Sequence, residues 1–252
     1  MIKQKYTAIT GASSGIGYAA AKKFANRGKN IIIIARRETL LHQLKDEILE
    51  DHPEVDVVIK VADLSNATEV IQLYKSLKQY HIETWINNAG FGIHTLMKDE
   101  NIERAQNMLH LNIEALTILS TLYVQDYANV EGTQLINISS AAGYNMAPTA
   151  VIYSATKFYV SSFTENLALE LRENGAKMQA KVLAPAATES EFAKIANSDK
   201  DFDMDQAFDK YHTSEEMADF MLQLYDSDKI VGSVVSEDYS FELTDNKFPY
   251  LG

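Results

Sequence analysis

A tyrosine and a lysine stand four positions apart in the sequence VIYSATKFYVSSF, as Tyr153 and Lys157. Four residues are close to one helical turn, so both side chains lie on the same face if this segment is helical. A free tyrosine has a pKa of about 10 and is a poor base near neutral pH, but a nearby ammonium group lowers that pKa. The pair therefore indicates either an acid–base centre or ordinary polar residues on an amphipathic helix.

A glycine-rich segment, TGASSGIG at positions 10–17, follows the first apolar run and precedes a helical pattern. Glycines there permit a tight turn, close approach of backbone N–H groups to a pyrophosphate, and close packing of helix on strand. The spacing is G-x-x-x-G-x-G, and a turn that merely starts a helix is the alternative. Its position after the first strand favours a dinucleotide site. The predicted contacts are Gly11, Ser13, Ser14, Gly15, Ile16 and Gly17.

The end of the second apolar run, IIIIARRE, indicates which dinucleotide is bound. An NAD enzyme usually carries an acidic residue here, whereas Arg36 and Arg37 stand in this chain. An arginine pairs with a 2′-phosphate through two parallel hydrogen bonds. The alternative is a surface charge pair, although cations are poorly matched to a helix start. We therefore expect NADP(H) to be preferred, with NAD(H) possible.

The elements that must position these groups alternate between apolar runs and helical patterns. Such alternation predicts parallel strands joined by crossover helices, with ligands at the carboxyl ends of the strands. The expected fold is α/β, Rossmann-like and doubly wound, with a seven-stranded, mainly parallel sheet and helices on both faces. We expect one domain over 1–252, with a cofactor part at about 1–140 and a catalytic and substrate part at about 140–252. The predicted strands are 6–10, 31–35, 55–63, 83–90, 133–140, 178–185 and 229–236.

Composition excludes several classes of function. The formal net charge of −12 argues against nucleic acid or an anionic membrane as the main partner. The absence of cysteine rules out disulfides, thiolate metal sites and a cysteine nucleophile. The six histidines show no ligand spacing, so we expect no metal and interpret each histidine as a surface or packing residue. The sequence shows no signal peptide and no apolar run of membrane-spanning length, which predicts a soluble, cytoplasmic protein.

The motifs together resemble those of the short-chain dehydrogenase/reductase family over roughly residues 5 to 190. In chain order they are TGASSGIG, NNAG at 87–90, Asn112 in LHLNIEAL, NISS at 137–140 and YSATK. Ser140 lies thirteen residues before Tyr153, which is the usual separation in that family, and this favours Ser140 over Ser139. The resemblance implies hydride exchange between a nicotinamide and a carbonyl/alcohol pair.

The resemblance also implies a role for each member of the catalytic set. Tyr153 would exchange a proton with the substrate oxygen, and Ser140 would orient that oxygen. Lys157 would lower the pKa of the tyrosine and hold the nicotinamide ribose. Asn112 would help to hold a water that connects Lys157 to solvent.

Further cofactor contacts carry over from the resemblance with some departures. After the sixth strand the family has Pro-Gly followed by a threonine, whereas this chain has APAATESEF. Ala186 therefore replaces the glycine, and Thr188 or Ser190 must supply the hydroxyl group. The C-terminal segment also departs from the Val-Asp-Gly-Gly-like ending of acyl-carrier-protein reductases. The carried-over contacts are Asp63, Leu64, Asn88, Ala89, Gly90, Pro185, Thr188 and Ser190.

The substrate is expected to be a small uncharged ketone, aldehyde or alcohol. Tyr144, Met146 and Phe192 flank Ser140 or the loop after Pro185, so we expect an apolar pocket covered by residues 189–212. The family packs its long helices into dimers and tetramers, so we expect a homodimer or homotetramer. Two alternatives are a catalytically inactive dinucleotide-binding regulatory or scaffold protein and a sugar-nucleotide epimerase or dehydratase. The complete catalytic set counts against the first, and the glycine spacing counts against the second.

Overall fold

Short runs of branched apolar residues build the strands at the centre of the fold. The computed structural model describes residues 4–250. The segment NIIIIA is typical, because its five C-terminal residues are all buried between two helical layers. In chain order the strands are β1 (Lys5–Thr10), β2 (Asn30–Ala35), β3 (Val57–Val61), β4 (His81–Asn87), β5 (Gln134–Ile138), β6 (Gln179–Ala184), β7 (Thr188–Glu189), β8 (His212–Thr213), β9 (Val231–Val234) and β10 (Phe241–Thr244).

Helices connect these strands, and their ends follow local signals. Asn66 accepts hydrogen bonds from the backbone of Thr68 and Glu69 and so caps the third helix. A π-helical segment, His110–Ala115, lies between the fourth and fifth helices. The helices are α1 (Gly15–Asn26), α2 (Glu38–Asp51), α3 (Ala67–Ser76), α4 (Ile102–Leu109), α5 (Leu116–Tyr127), α6 (Val151–Glu173), α7 (Glu191–Ala196), α8 (Met204–Ala207) and α9 (Ser214–Asp226).

The main sheet confirms the Rossmann-like prediction, with one strand more than expected. Its order is β10-β9-β6-β5-β4-β1-β2-β3, and β7 pairs with β8 in a separate two-stranded sheet. Seven strands of the main sheet are parallel, and β10 pairs antiparallel with β9 at the edge. The prediction of seven strands was wrong because it missed β10, the short segment FELT. No crossover helix separates β10 from β9, so the alternation of strands and helices does not mark it. The strand order reverses between β1 and β4, which is where doubly wound sheets bind ligands.

Two apolar layers hold the helices on opposite faces of the sheet. One layer joins α1, α2 and α9 to the sheet, and the other joins α3, α5 and α6 to it. Trp85 on β4 and Tyr123 on α5 are fully buried in the second layer. Within residues 4–250, no helix combines the length and apolar character that crossing a lipid bilayer requires.

Candidate active site

A cavity of about 1170 Å³ opens at the carboxyl ends of the parallel strands. The loops after β1 to β6 all contribute to it, as the topology requires. Most of the predicted site residues line this cavity. They are Gly11, Ser13, Ser14, Gly15, Ile16, Arg36, Arg37, Asp63, Leu64, Asn88, Ala89, Gly90, Ser140, Tyr153, Lys157, Pro185, Thr188, Ser190 and Phe192.

The glycine loop is held so close to its neighbours that side chains could not be added. Gly11 has a φ of +68°, and a Cβ atom there would lie 2.8 Å from the Ala89 Cα. A Cβ atom on Gly17 would lie 2.6 Å from the Gly11 carbonyl oxygen. Gly17 therefore serves helix–loop packing, although it does not line the cavity. The loop leaves the backbone exposed to a ligand, which is the shape that a pyrophosphate needs.

The NNAG segment at 87–90 is hydrogen-bonded to the start of the glycine loop. The backbone N–H groups of Asn88 and Ala89 each donate a 3.0 Å hydrogen bond to the Thr10 hydroxyl oxygen. The Asn88 carboxamide donates to the carbonyl oxygens of Thr10 and Gly11, at 2.9 and 3.3 Å. Asn88 thus both lines the cavity and ties the end of β4 to the end of β1.

Arg37 lies over the start of α1. Its guanidinium donates to the hydroxyl oxygens of Ser13, at 3.1 and 3.2 Å, and of Ser14, at 2.8 Å. Ser14 is the N-cap residue of α1, yet in the described chain its side chain makes no capping hydrogen bond. The first-turn N–H groups of α1 therefore remain able to bind an anion, and Arg37 adds a positive charge beside them.

Asp63 and Leu64 follow β3 and line the same cavity as Arg36. The Asp63 carboxylate accepts hydrogen bonds from the backbone N–H and the hydroxyl of Ser65, at 3.0 and 2.8 Å. Burial alone would raise the pKa of Asp63, but the Ser65 hydrogen bonds and the positive charge of Arg36 together hold this pKa below its usual value. A charged carboxylate is therefore maintained at the cavity wall.

Tyr153 and Lys157 both lie on α6 and face the cavity, as their spacing predicts. Tyr153 is 6% exposed and Lys157 is 6% exposed, so neither is surface decoration. The Lys157 ammonium group donates a 2.9 Å hydrogen bond to the Ile138 carbonyl oxygen at the end of β5. Its nitrogen lies 5.7 Å from the centre of the Tyr153 ring. The second interpretation of the motif, polar residues on a solvent-facing surface, is therefore wrong.

Burial controls the charge state of both side chains. It raises the pKa of Tyr153 to about 12, and interaction with the Ser140 hydroxyl offsets this only in part. Burial also lowers the pKa of Lys157 to about 8. The sequence-based expectation was a tyrosine pKa lowered by the lysine charge, and the structure shows the opposite direction. Tyr153 is therefore protonated at neutral pH.

Ser140 and Ser139 face different surroundings at the end of β5. Ser140 lines the cavity, and its hydroxyl oxygen accepts a 3.1 Å hydrogen bond from the Ala142 backbone. The Ser139 hydroxyl donates to the Lys157 carbonyl oxygen at 2.9 Å and lies 2.7 Å from the Ser161 hydroxyl. Both serines line the cavity, but the Ser139 hydroxyl is engaged in packing α6 against the sheet, whereas the Ser140 hydroxyl interacts with Tyr153.

Asn112 lies in the π-helical segment and behind the cavity wall. Its carboxamide donates to the Phe91 carbonyl oxygen at 2.9 Å and to the Thr156 hydroxyl oxygen at 3.1 Å. Its oxygen accepts a 3.2 Å hydrogen bond from the Phe91 backbone. A Cβ atom on Gly90 would lie 3.1 Å from the Asn112 Oδ1 atom and 3.7 Å from the Lys157 Nζ atom. Asn112 therefore lies close to Lys157 without lining the cavity, and π-helical turns are frequent at functional sites.

The loop after β6 contributes hydroxyl groups to the mouth of the cavity. The Thr188 hydroxyl donates to the Ala186 carbonyl oxygen at 2.9 Å. Ser190 caps α7 by accepting a 3.3 Å hydrogen bond from the Phe192 backbone. A Cβ atom on Gly15 would lie 3.3 Å from the Ser190 Cβ atom, so the start of α7 packs directly on the glycine loop.

The three predicted substrate contacts have different outcomes. Phe192 lines the cavity, with its ring centre 5.5 Å from that of Tyr153. Tyr144 does not line it, because its hydroxyl donates to Glu165 at 2.6 Å and its ring stacks on Phe248. Met146 is 85% exposed and also lies outside the cavity lining. Sequence proximity to Ser140 misplaced both, since the turn after Ser140 carries them away from the cavity.

Sequence reasoning missed several cavity residues, of which His94 is the clearest. The His94 ring centre lies 6.2 Å from that of Tyr153, and its Nδ1 atom is 3.3 Å from the Asn197 Oδ1 atom. His94 is exposed and packs edge-on against Tyr153, so its interpretation as a surface or packing residue holds, but its place in the cavity lining was not predicted. His94 and Phe91 follow β4 within seven residues, so the rule that ligands bind at strand carboxyl ends could have found them. Arg104 and Glu191 also line the cavity, and no local pattern marks them.

The arrangement suits a dinucleotide beside a proton-transferring tyrosine. The glycine cradle, the open first turn of α1 and Arg37 suit a phosphorylated cofactor, and Lys157 provides a donor beside Tyr153. In the described part of the chain, no group of three or more histidine, aspartate or glutamate side chains is placed to hold a metal ion.

Comparison with known proteins identifies relatives of this chain. The family model described as short chain dehydrogenase matches residues 5–201. Dehydrogenase/reductase SDR family member 11 of Gallus gallus is 30% identical over 198 residues, covering 76% of this chain and 78% of that protein. The very-long-chain 3-oxoacyl-CoA reductase let-767 of Caenorhabditis elegans is 31% identical over 198 residues. That match covers 75% of this chain but only 61% of the nematode protein.

A solved structure resembles the whole architecture. A short-chain dehydrogenase from Sphingobium yanoikuyae, in complex with NADPH, superimposes with a TM-score of 0.80 at 28% sequence identity. The superposition covers 92% of this chain and 89% of the other.

Proposed function

As the chain belongs to the short-chain dehydrogenase/reductase family, we propose that it is an NADP(H)-dependent oxidoreductase that interconverts a ketone or aldehyde and the corresponding alcohol. The observation that carries this proposal is the position of Tyr153. Its side chain is buried in the wall of the same cavity that contains the glycine loop, with Lys157 one helical turn away. Hydride transfer needs a bound dinucleotide and a proton donor next to the reacting oxygen.

The cofactor is a nicotinamide dinucleotide, and it supplies or accepts the hydride when bound. The glycine loop and the start of α1 would bind its pyrophosphate, and Lys157 would hold its nicotinamide ribose. Arg36 and Arg37 support a preference for the 2′-phosphorylated form. The Sphingobium relative was solved with NADPH, which agrees with this preference.

Tyr153 transfers the proton. With a pKa raised to about 12 by burial, its hydroxyl is protonated at neutral pH and can donate to a carbonyl oxygen during reduction. Ser140 donates a hydrogen bond to that oxygen and orients it. Asn112 holds the Phe91 backbone and would help to hold a water that connects Lys157 to solvent, from which Tyr153 can regain its proton.

The substrate is an uncharged compound with an apolar body. Apolar side chains line the cavity around Tyr153, and the Arg104 guanidinium in the lining donates to the Ser198 hydroxyl and Ile195 carbonyl oxygens. Residues 189–212 cover this end of the cavity through α7 and α8. The apolar residues are Phe91, Ala142, Ala147, Ala150, Phe192 and Ile195.

A screen of carbonyl compounds and alcohols tests the function, with NADPH or NADH followed by absorbance. We expect turnover with an apolar ketone or aldehyde, a lower dissociation constant for NADPH than for NADH, and loss of turnover in Tyr153→Phe. Equal turnover in that variant would refute the mechanism. Cofactor binding without turnover across the screen would instead favour the alternative, an inactive dinucleotide-binding regulatory or scaffold protein.

The organisation of the chain follows from the same proposal. Residues from about 1 to 140 would bind the cofactor, and those from about 140 to 252 would supply catalysis and substrate binding within one domain. Residues 1–3 and 251–252 of that range lie outside the described residues. We also propose a homodimer or homotetramer in the cytoplasm, which light scattering and cell fractionation would test.

A further inference from the structure

Helix α7 is fastened over the cavity by an arginine at each end. At its start, the Arg37 Nη2 atom lies 2.8 Å from the Glu191 Oε2 atom. At its end, Arg104 donates to the Ile195 carbonyl oxygen and, at 2.5 Å, to the Ser198 hydroxyl oxygen. The first of these contacts joins the covering helix to a residue that the cofactor would need.

Arg37 shares its donors among two hydroxyl groups and one carboxylate. The Ser13 and Ser14 oxygens are uncharged acceptors, and within residues 4–250 Glu191 is the one acidic side chain in ion-pair contact with this guanidinium. The hydrogen bond from Arg37 is the largest influence on Glu191 and holds the pKa of its carboxyl group below the usual value. Glu191 is therefore an anion at neutral pH. Its carboxylate forms an ion pair with the Arg37 guanidinium, which follows the end of β2.

We propose that Glu191 determines cofactor selectivity by competing with the 2′-phosphate of NADP(H) for Arg37. The inference rests on the proposed function, in which Arg37 binds that phosphate. The Arg37 Nη2 atom that holds the Glu191 carboxylate is less available to a phosphate, and the two anions repel each other when adjacent. NAD(H) has a free 2′-hydroxyl group, so it leaves the Arg37–Glu191 pair intact. Glu191 thus weakens NADP(H) binding selectively, and it moderates the preference that the two arginines create.

The simpler explanation is that the ion pair only anchors α7. Both side chains are about half exposed, at 45% and 50%, and pairs of this kind contribute little to stability. A simple anchor would act on both cofactors alike, because α7 packs on the glycine loop shared by NADP(H) and NAD(H). It would also act on the substrate, because Phe192 follows Glu191 directly and packs on Tyr153. The two explanations therefore predict different effects of a Glu191 substitution. Competition changes the ratio of the NADP(H) and NAD(H) affinities, whereas a simple anchor leaves that ratio unchanged.

Cofactor titration with Glu191→Gln tests the competition directly. We expect the NADPH dissociation constant to fall about three- to fivefold, as for loss of one exposed ion pair. The NADH dissociation constant is expected to stay within about twofold of the wild-type value. Glu191→Ala should give the same selective change. Agreement between the two variants would exclude an effect of the carboxamide that Glu191→Gln introduces. Glu189→Gln is the matched control, since it removes a nearby acidic charge that makes no recorded contact with Arg37.

The double variant Arg37→Gln/Glu191→Gln completes the experiment. Without Arg37 the cation that Glu191 contacts is gone, so the Glu191 substitution should no longer change the NADPH/NADH affinity ratio. An unchanged ratio in Glu191→Gln, or an equal shift for both cofactors, would overturn the inference. These measurements need no turnover. A wild-type protein that binds NADH more tightly would refute the proposed NADP(H) preference, while the change in ratio on substitution would still decide the role of Glu191.

Discussion

Lys157 lies with its ammonium nitrogen 5.7 Å from the centre of the Tyr153 ring, one helical turn along α6, and both side chains are almost fully buried. Burial moves their pKa values apart, raising that of Tyr153 to about 12 and lowering that of Lys157 to about 8. Each shift favours the uncharged form. The pair is therefore suited first to holding a proton on the tyrosine, which is the state that reduction of a carbonyl requires.

Removing the Tyr153 hydroxyl should abolish turnover and leave cofactor binding intact. General acid catalysis contributes roughly 10²- to 10⁴-fold, so Tyr153→Phe should lower kcat by at least about a hundredfold. The NADPH dissociation constant should stay within about threefold of wild type, since the aromatic ring is kept. The control is Tyr159→Phe on the same helix, whose hydroxyl lies 2.8 Å from that of Thr117. Similar losses in both variants would contradict the assignment of Tyr153.

The two reaction directions should depend differently on pH. Reduction uses protonated Tyr153, so its kcat/KM should change little from pH 6 to about 7, above which Lys157, with a pKa of about 8, begins to lose its charge. Oxidation uses the phenolate, whose fraction increases about tenfold per pH unit below the tyrosine pKa. Initial rates of alcohol oxidation should therefore rise steadily from pH 7 towards 10. Parallel pH profiles in the two directions would argue against Tyr153 as the group that titrates.

Lys157→Met should weaken cofactor binding as well as turnover. The variant loses a charge-assisted donor worth about 1.5–3 kcal/mol, so the NADPH dissociation constant should rise roughly ten- to hundredfold. Lys181 is the matched control, because burial also lowers its pKa to about 8 but it lies outside the cavity lining. Titration of Lys181→Met should give the wild-type NADPH dissociation constant. Comparable weakening in both variants would indicate a general effect of removing buried charge.

Lys181 should instead contribute to folding stability in a pH-dependent manner. Its ammonium group donates to the carbonyl oxygens of Leu224, Tyr225 and Ser227, at 3.0, 3.0 and 2.6 Å, and so closes the end of α9. Leaving these acceptors unpaired in Lys181→Met should cost about 1–3 kcal/mol at pH 7 in urea unfolding.

The pH dependence follows from the lowered pKa of Lys181. In the unfolded chain the Lys181 ammonium group keeps its proton up to the ordinary lysine pKa of 10.5, whereas in the folded chain its pKa is about 8. The unfolded state therefore binds more protons between these values, and this contribution to the unfolding free energy rises with pH. The stability difference between wild type and Lys181→Met should widen from pH 8 to 10. A constant difference would show that Lys181 does not titrate differently on folding.

Gly92→Ala should perturb the substrate pocket without unfolding the protein. A Cβ atom there would lie 2.8 Å from the Phe192 Cζ atom and 3.4 Å from the Tyr153 Cδ2 atom. The end of the Phe192 ring can move, so we expect a severalfold rise in substrate KM and an unchanged NADPH dissociation constant.

Gly143→Ala serves as the contrasting variant, because its Cβ atom would meet the Lys157 carbonyl oxygen at 2.6 Å, which cannot move. It should lower the unfolding free energy by about 1–3 kcal/mol. A stability loss in Gly92→Ala as large as in Gly143→Ala would contradict the expected movement of Phe192.

The sequence by itself determined the order of elements and the place of the chemistry. Apolar runs and helical patterns are local features of the sequence. Each indicates whether its own segment is a strand or a helix and which of its faces are buried. The rule that ligands bind at strand carboxyl ends then placed the glycine loop, Asp63, Ser140 and Pro185 around one cavity. The spacing of Tyr153 and Lys157 likewise fixed their shared helical face, which needs no information from distant residues.

Only the tertiary structure decided which side chains reach the cavity and in what charge state. Tyr144 turns to Glu165 while His94 faces Tyr153, because the direction of each side chain depends on packing between segments far apart in the chain. Arg37 and Glu191 are 154 positions apart, so no local pattern could pair them. The pKa of Tyr153 moved upwards because desolvation depends on how completely the surrounding elements exclude water, and that is a property of the assembled fold.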